Sequence, residues 1–233
     1  MIEVSKKEAV RVMFDEISPK YDFLNHFLSF GIDQVWRKKL VTMLDSHHPL
    51  TVLDVATGTG DLAIAIESVK PQKIVGIDIS EKMLEVGRKK LNAKGLDHLI
   101  TLRRADAEKI PFSDHSFEAI TVAFGVRNFE NLELGLTEMR RVLRPGGVML
   151  ILEFSHPSSF PMKQLYGIYS RFVIPLMGRI ISGSSKAYTY LPESVAAFPS
   201  GQKFLDILLK AGLKNVSQRS LSAGIASIYL AEK

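Results

Sequence analysis

At 233 residues, 46% hydrophobic and 24% charged, the chain has an ordinary globular composition with apolar residues enough for a full core. It contains no cysteine, which excludes disulfides, thiolate metal sites and cysteine nucleophiles. The net charge of +5 suits an anionic partner such as RNA or a lipid surface, but it is spread in short clusters such as Arg103-Arg104 and Arg140-Arg141, with no basic tail. The opening MIEVSKKEAV has no apolar signal core, and no apolar run is long enough to span a bilayer, so a cytoplasmic location is expected.

Residues 5–47 read as about three helices. Met13, Phe14, Ile17, Tyr21, Leu24, Asn25 and Leu28 recur at spacings of three and four, and Pro19 and Gly31 interrupt the pattern. From residue 50 strands and helices alternate. Strands are predicted over 50–55, 73–77, 99–102, 117–124 and 148–154. Helices are predicted over 61–70, from a Ser80 cap to 91, and over 132–143, where Pro145-Gly146-Gly147 ends the last. This rhythm implies a parallel, doubly wound α/β sheet. Residues 157–191 break it with an aromatic and apolar stretch centred on 172–181. A helix over 204–209 and two strands over 215–220 and 225–231 then close the chain as an antiparallel hairpin.

The most informative stretch is TVLDVATGTG at 51–60, a buried strand feeding a glycine turn and a helix start, which is a layout for binding a nucleotide-like ligand. Three acids frame it. Asp78 ends the second strand, where a carboxylate accepts from ribose hydroxyls. Asp106 follows the third strand, at the place expected for an adenine edge. Asp54, beside Gly58, Thr59 and Gly60, opposes a pyrophosphate and favours the ammonium and sulfonium of S-adenosylmethionine. Each acid also has a structural reading, as a cap or as a solvated loop carboxylate.

Three further stretches are VRVMFDEISPKYDFLNHFLSFGIDQVWR at 10–37, AFGVRNFEN at 123–131 and RVLRPGGVMLILEFSHP at 141–157. With LDVATGTGD and DAEKIPF, they make the chain resemble the ubiquinone/menaquinone biosynthesis C-methyltransferase family from about Val10 to the final hairpin. The resemblance implies a class I S-adenosylmethionine-dependent methyltransferase. Its fold would be a Rossmann-like, seven-stranded, mostly parallel sheet in one domain over 1–233, with an N-terminal helical cap at 1–47 and an apolar lid at 157–191. It implies that Thr59, Asp78, Asp106 and Ala107 contact the cofactor, with Asp54, Gly58 and Gly60 shaping its pocket. Two positions depart from the pattern. Ala123 stands where some ubiquinone-making members carry a cofactor-binding serine, and Asp106 replaces an asparagine found in many members. The first leans the reading towards menaquinone.

The implied acceptor is a polyprenylated quinol, most readily demethylmenaquinol, with a ubiquinone precursor as a second substrate. With the tyrosine pKa of about 10 as a guide, ionising such a phenol at neutral pH costs roughly 4 kcal/mol. A fixed cation offsets part of that cost. Arg127 is the expected cation, with Asn128 and Tyr21 orienting the oxygen or a water, and no metal is required. Their structural readings are a helix-capping arginine and a packed tyrosine. Tyr166, Tyr169, Phe172 and Met177, with Lys163, Arg171 and Arg179, are expected to house the tail or to meet lipid as a peripheral membrane contact. No nucleic-acid-binding module is evident, and a homodimer stays open. Methylation of another small molecule or a sterol-like lipid is the alternative activity, and RNA a more remote one.

Overall fold

The computed structural model describes residues 5–157, 160–168 and 186–233. The N-terminal region forms three helices, α1 (Lys6–Ile17), α2 (Tyr21–Leu28) and α3 (Ile32–Asp45). Ser5 caps α1 by accepting from the Glu8 amide at 3.2 Å, a Pro19-containing 3-10 turn separates α1 from α2, and Gly31 at φ 74° turns the chain into α3. The alternating region follows as β1 (Thr51–Val55), α4 (Asp61–Ile66), β2 (Lys73–Asp78), α5 (Glu81–Lys94), β3 (Ile100–Arg104), β4 (Phe117–Ala123), α6 (Leu132–Val142) and β5 (Leu143–Phe154). After α7 (Met162–Ile168) come α8 (Lys186–Ala197), α9 (Gln202–Lys210), β6 (Lys214–Leu221) and β7 (Ala226–Glu232).

The seven strands form one sheet in the order β3-β2-β1-β4-β5-β7-β6, with β7 antiparallel to both of its neighbours. This is the sheet that the sequence predicts. Period-two alternation divides its core. Leu53, Val55, Ile77, Ile120 and Ile151 face Leu136 and Met139 of α6 and Phe204 and Leu208 of α9. Val52, Ile74, Ala119 and Leu150 face Leu40 and Leu44 of α3, Ile66 of α4 and Leu84 of α5.

Two elements differ from expectation. Strand β5 begins at Leu143 rather than Val148, because Pro145-Gly146-Gly147 forms a bulge inside it instead of a loop before it. Gly147 is required there, since a Cβ would lie 2.7 Å from the Glu118 carbonyl. Helix α8 was not expected, and Pro192 sits inside it. The predicted lid at 157–191 contains α7 and the start of α8, while 172–181 and Tyr169, Phe172, Met177, Arg171 and Arg179 lie outside the described residues.

Candidate active site

The carboxyl ends of β1, β2 and β4 open into a cleft of about 710 Å³, part of it open solvent, roofed by α1 and the start of α2. Its lining joins the two predicted halves. On one side stand Gly58, Asp78, Asp106 and Ala107; on the other stand Tyr21, Ala123, Phe124 and Asn128. Val10, Phe14, Met83 and Phe129 make much of the remaining wall apolar.

Asp78 organises the cofactor side. Its Oδ2 accepts from the Gly58 amide at 2.8 Å and its Oδ1 from the Ser80 amide at 2.9 Å. Burial raises its carboxyl above the ordinary range against these amide donors. Gly58 adopts φ 58°, so its bare backbone faces the cleft. Asp106 accepts from Lys7 Nζ at 2.7 Å and from the Glu108 amide at 2.9 Å. Lys6 reaches the carbonyls of Arg127 and Phe129 at 3.1 and 2.6 Å, so α1 spans the cleft from one rim to the other.

Three expected cofactor residues stand elsewhere. Asp54 does not face the cleft and is only 1% exposed. Alternation along β1 places it on the face of Val52, beneath α3, where it accepts from Thr57 Oγ1 at 2.6 Å and Thr121 Oγ1 at 2.7 Å. Its position therefore corrects the reading of Asp54 as a carboxylate that meets the ligand; it braces the strand under the loop. Thr59 turns its hydroxyl to Asp22 Oδ1 at 2.5 Å and accepts from Lys90 Nζ at 3.0 Å. Lys90 also pairs with Asp22 at 2.8 Å and with Asp61, clasping α2 to the glycine turn. Gly60, at φ 83°, starts α4 behind the cleft wall.

The Asp54 carboxyl is raised to about 6 from 3.8, chiefly by burial, which outweighs the two threonine donors. A raised folded pKa stabilises fully below the unfolded value and is lost as pH rises through about 6. Asp54→Asn is therefore expected to gain about 2–3 kcal/mol over the native chain between pH 4 and pH 8. Urea unfolding of both proteins at the two pH values measures that difference. A difference that does not change with pH would contradict the burial argument.

On the acceptor side Asn128 lines the cleft, accepts from Tyr190 Oη at 3.0 Å and donates to the Phe124 carbonyl at 3.4 Å. Arg127 stands behind it rather than in the lining. Its Nη1 donates to Glu153 Oε1 at 2.8 Å and to the Phe124 carbonyl at 2.5 Å, with its guanidinium 5.3 Å from the centre of the Phe154 ring. Glu153 is wholly buried and also accepts from the Phe154 amide at 2.8 Å; burial raises its carboxyl despite Arg127. The sequence reading overlooked Glu153. Its signal was a lone acid in the apolar run VMLILEF, since a buried charge requires a partner.

Arg37 is a second buried guanidinium. It pairs with Asp33, which also accepts from Ser29 Oγ at 2.6 Å and contacts His26 Nδ1 at 2.9 Å. Arg37 lies 5.6 Å from the centre of the Phe124 ring, which packs 4.5 Å from Phe154. The Nε atoms of Arg37 and Arg127 are both buried without a hydrogen-bond partner among the described residues. Tyr21 is held above its ordinary pKa by burial, which outweighs a hydrogen bond to Asn25 and the positive fields of Arg127 and Arg37. It therefore stays protonated at neutral pH and acts as a donor, not a base.

The cleft suits S-adenosylmethionine. Asp78, the bare Gly58 backbone, Asp106 and Ala107 line one side of it together. Comparison with known proteins agrees. The chain is 48% identical to the demethylmenaquinone methyltransferase of Porphyromonas gingivalis, over 99% of this chain and 95% of that protein. It is 46% identical to the ubiquinone/menaquinone biosynthesis C-methyltransferase UbiE of Geotalea daltonii, over 98% and 97%. Among solved structures, a Thermotoga maritima S-adenosylmethionine-dependent methyltransferase described as a possible histamine N-methyltransferase shares the fold, with TM-score 0.65, 19% identity and 94% and 98% coverage. The [4+2]-cyclase SpnF shares it too, at TM-score 0.68, 16% identity and 99% and 97% coverage. Residues 2–233 match the model of the ubiE/COQ5 methyltransferase family, and the chain belongs to that family of S-adenosylmethionine-dependent enzymes.

Proposed function

We propose that this enzyme methylates a ring carbon of a polyprenylated quinol, demethylmenaquinol first and a ubiquinone precursor second. The observation that carries the proposal is the acceptor side of the cleft, where Tyr21 and Asn128 line the wall and the Arg127 guanidinium, fixed on Glu153, stands behind Asn128. A guanidinium fixed behind that wall favours ionisation of an acceptor phenol bound there, and an ionised quinol oxygen makes the neighbouring ring carbon nucleophilic.

S-adenosylmethionine, when bound, supplies an electrophilic methyl group. Asp78, Gly58, Asp106 and Ala107 hold and orient it, with Asp54 and Thr59 bracing the loop from behind. Tyr21 and Asn128 orient the acceptor oxygen or a water on it, and Arg127, fixed by Glu153, favours its negative charge. The ring proton lost on methylation passes to solvent. Lys7 is the one cation among the described lining residues, so the cleft offers no basic track for a polyanion, which disfavours RNA.

Tail-bearing quinols partition into lipid, so the enzyme works at the inner face of the cytoplasmic membrane as a peripheral protein. No helix among the described residues is long and apolar enough to cross it. The test is transfer of labelled methyl from S-adenosylmethionine to demethylmenaquinol, demethylated ubiquinone precursors, a sterol and total RNA. Label in demethylmenaquinol is expected, and label only in RNA or the sterol overturns the reading. Tyr21→Phe, which removes the donor and keeps the ring, is expected to lower kcat about tenfold, the scale of one hydrogen bond of about 1.4 kcal/mol. An unchanged kcat would remove Tyr21 from the reaction.

A further inference from the structure

Five of the eleven large hydrophobic side chains exposed among the described residues fall within thirteen residues of one another in the helical cap. Phe23 (60% exposed) and Phe27 share the outer face of α2, one turn apart, with rings stacked at 5.8 Å. Phe30 (85% exposed) caps the turn before Gly31, and Ile32 and Val35 continue the patch onto α3. The inward faces of the same helices carry Tyr21, Asp33, Trp36 and Arg37. A cluster of this kind marks a binding surface rather than scattered exposure.

We infer that this α2–α3 turn is the surface by which the enzyme inserts into an anionic lipid bilayer. Exposed stacked rings on α2 and an exposed phenylalanine at the turn suit the acyl boundary of a membrane. Its charges match an anionic leaflet. Lys38 is exposed beside it on α3, while Asp33 pairs with Arg37 and Asp22 shares Lys90 with Asp61. One exposed lysine near such a leaflet raises partitioning roughly fivefold. Position completes the case. Helix α2 shows Phe23 and Phe27 outward and Tyr21 to the cleft, so one helix separates lipid from the acceptor site. That last step rests on the quinol reading; the exposure and charge do not.

The test compares the full chain with the variant F23Q/F27Q/F30N. Glutamine keeps the helix, and asparagine tolerates the left-handed backbone of Phe30. The control L134Q/L209Q removes exposed apolar side chains elsewhere. The native chain and the control are expected to float with phosphatidylglycerol–phosphatidylcholine vesicles, and less with phosphatidylcholine alone. The triple variant is expected to lose at least about tenfold in partitioning, equivalent to about 1.4 kcal/mol. Its turnover of a tailless quinol in solution is expected within twofold of native, and that of a long-tailed quinol in vesicles to fall at least tenfold. Equal flotation of the triple variant, or no flotation of the native chain, overturns the inference. So does a change confined to oligomeric state, which would give the patch to a second copy. If the native chain floats but methylates no quinol, the quinol reading fails and the surface stands.

Discussion

Arg127→Met is expected to destabilise the protein by about 3–5 kcal/mol, because it strands a wholly buried carboxylate without its counter-charge. For a chain of this length that corresponds to a melting temperature lower by about 10 °C. The same variant is expected to lose at least about a hundredfold in kcat, the scale seen when one group that stabilises a developing negative charge is removed. Either result alone is ambiguous, since a damaged fold also lowers turnover. The double variant Arg127→Met/Glu153→Leu separates them. Replacing a buried ion pair by apolar groups of similar volume is often neutral or stabilising, so the double variant is expected to recover most of the lost stability. Its turnover is expected to stay at least about a hundredfold down, because the guanidinium fixed behind Asn128 is gone. Thermal melts and single-turnover assays on the three proteins decide the point. A double variant with native kcat would leave the pair a purely structural role.

Asp78→Ala is expected to weaken S-adenosylmethionine binding about a hundredfold, or about 2.7 kcal/mol. The carboxylate has two tasks, accepting from the ligand ribose and pinning the Gly58 and Ser80 amides on either side of it. Hydrogen bonds to a charged group contribute about 1.5–3 kcal/mol each, so losing the ribose contact and loosening the loop together reach that figure. Asp78→Asn keeps one acceptor oxygen and should lose only about tenfold, or about 1.4 kcal/mol. Calorimetric titration of the cofactor and of its demethylated product reads both values. Binding of the alanine variant within threefold of native would show that the ribose is held elsewhere.

The strands and their order were legible in the sequence because a buried parallel sheet leaves short apolar runs separated by helical periodicity. That Asp78, Gly58, Asp106 and Ala107 line one cleft was legible for a related reason: residues at the ends of adjacent parallel strands converge at one edge of the sheet. Asp54 was misplaced because its distance from Gly58 along the chain does not say which face of β1 it takes; alternation with Val52 sends it under α3. Glu153 escaped notice because the run around it read as uniformly apolar, although a single acid there already demanded Arg127 or an equivalent. Helix α8 was hidden by Pro192 and by the aromatic residues before it. The start of β5 was hidden because Pro-Gly-Gly is usually a stop, and here it is a bulge.

The clasp of Lys90, Asp22 and Thr59 ties two ligands into one thermodynamic account. Tyr21 and Asp22 are neighbours on α2, one in the acceptor wall and the other gripping the hydroxyl of the glycine turn. A shift of α2 to admit an acceptor therefore disturbs Thr59, and ordering of Thr59 by the donor steadies Tyr21. Linkage then requires reciprocity: whatever factor the donor adds to acceptor affinity, the acceptor adds to donor affinity. Cutting the clasp at Lys90 would make the two sites independent, so that each ligand binds with the same constant whether or not the other is present.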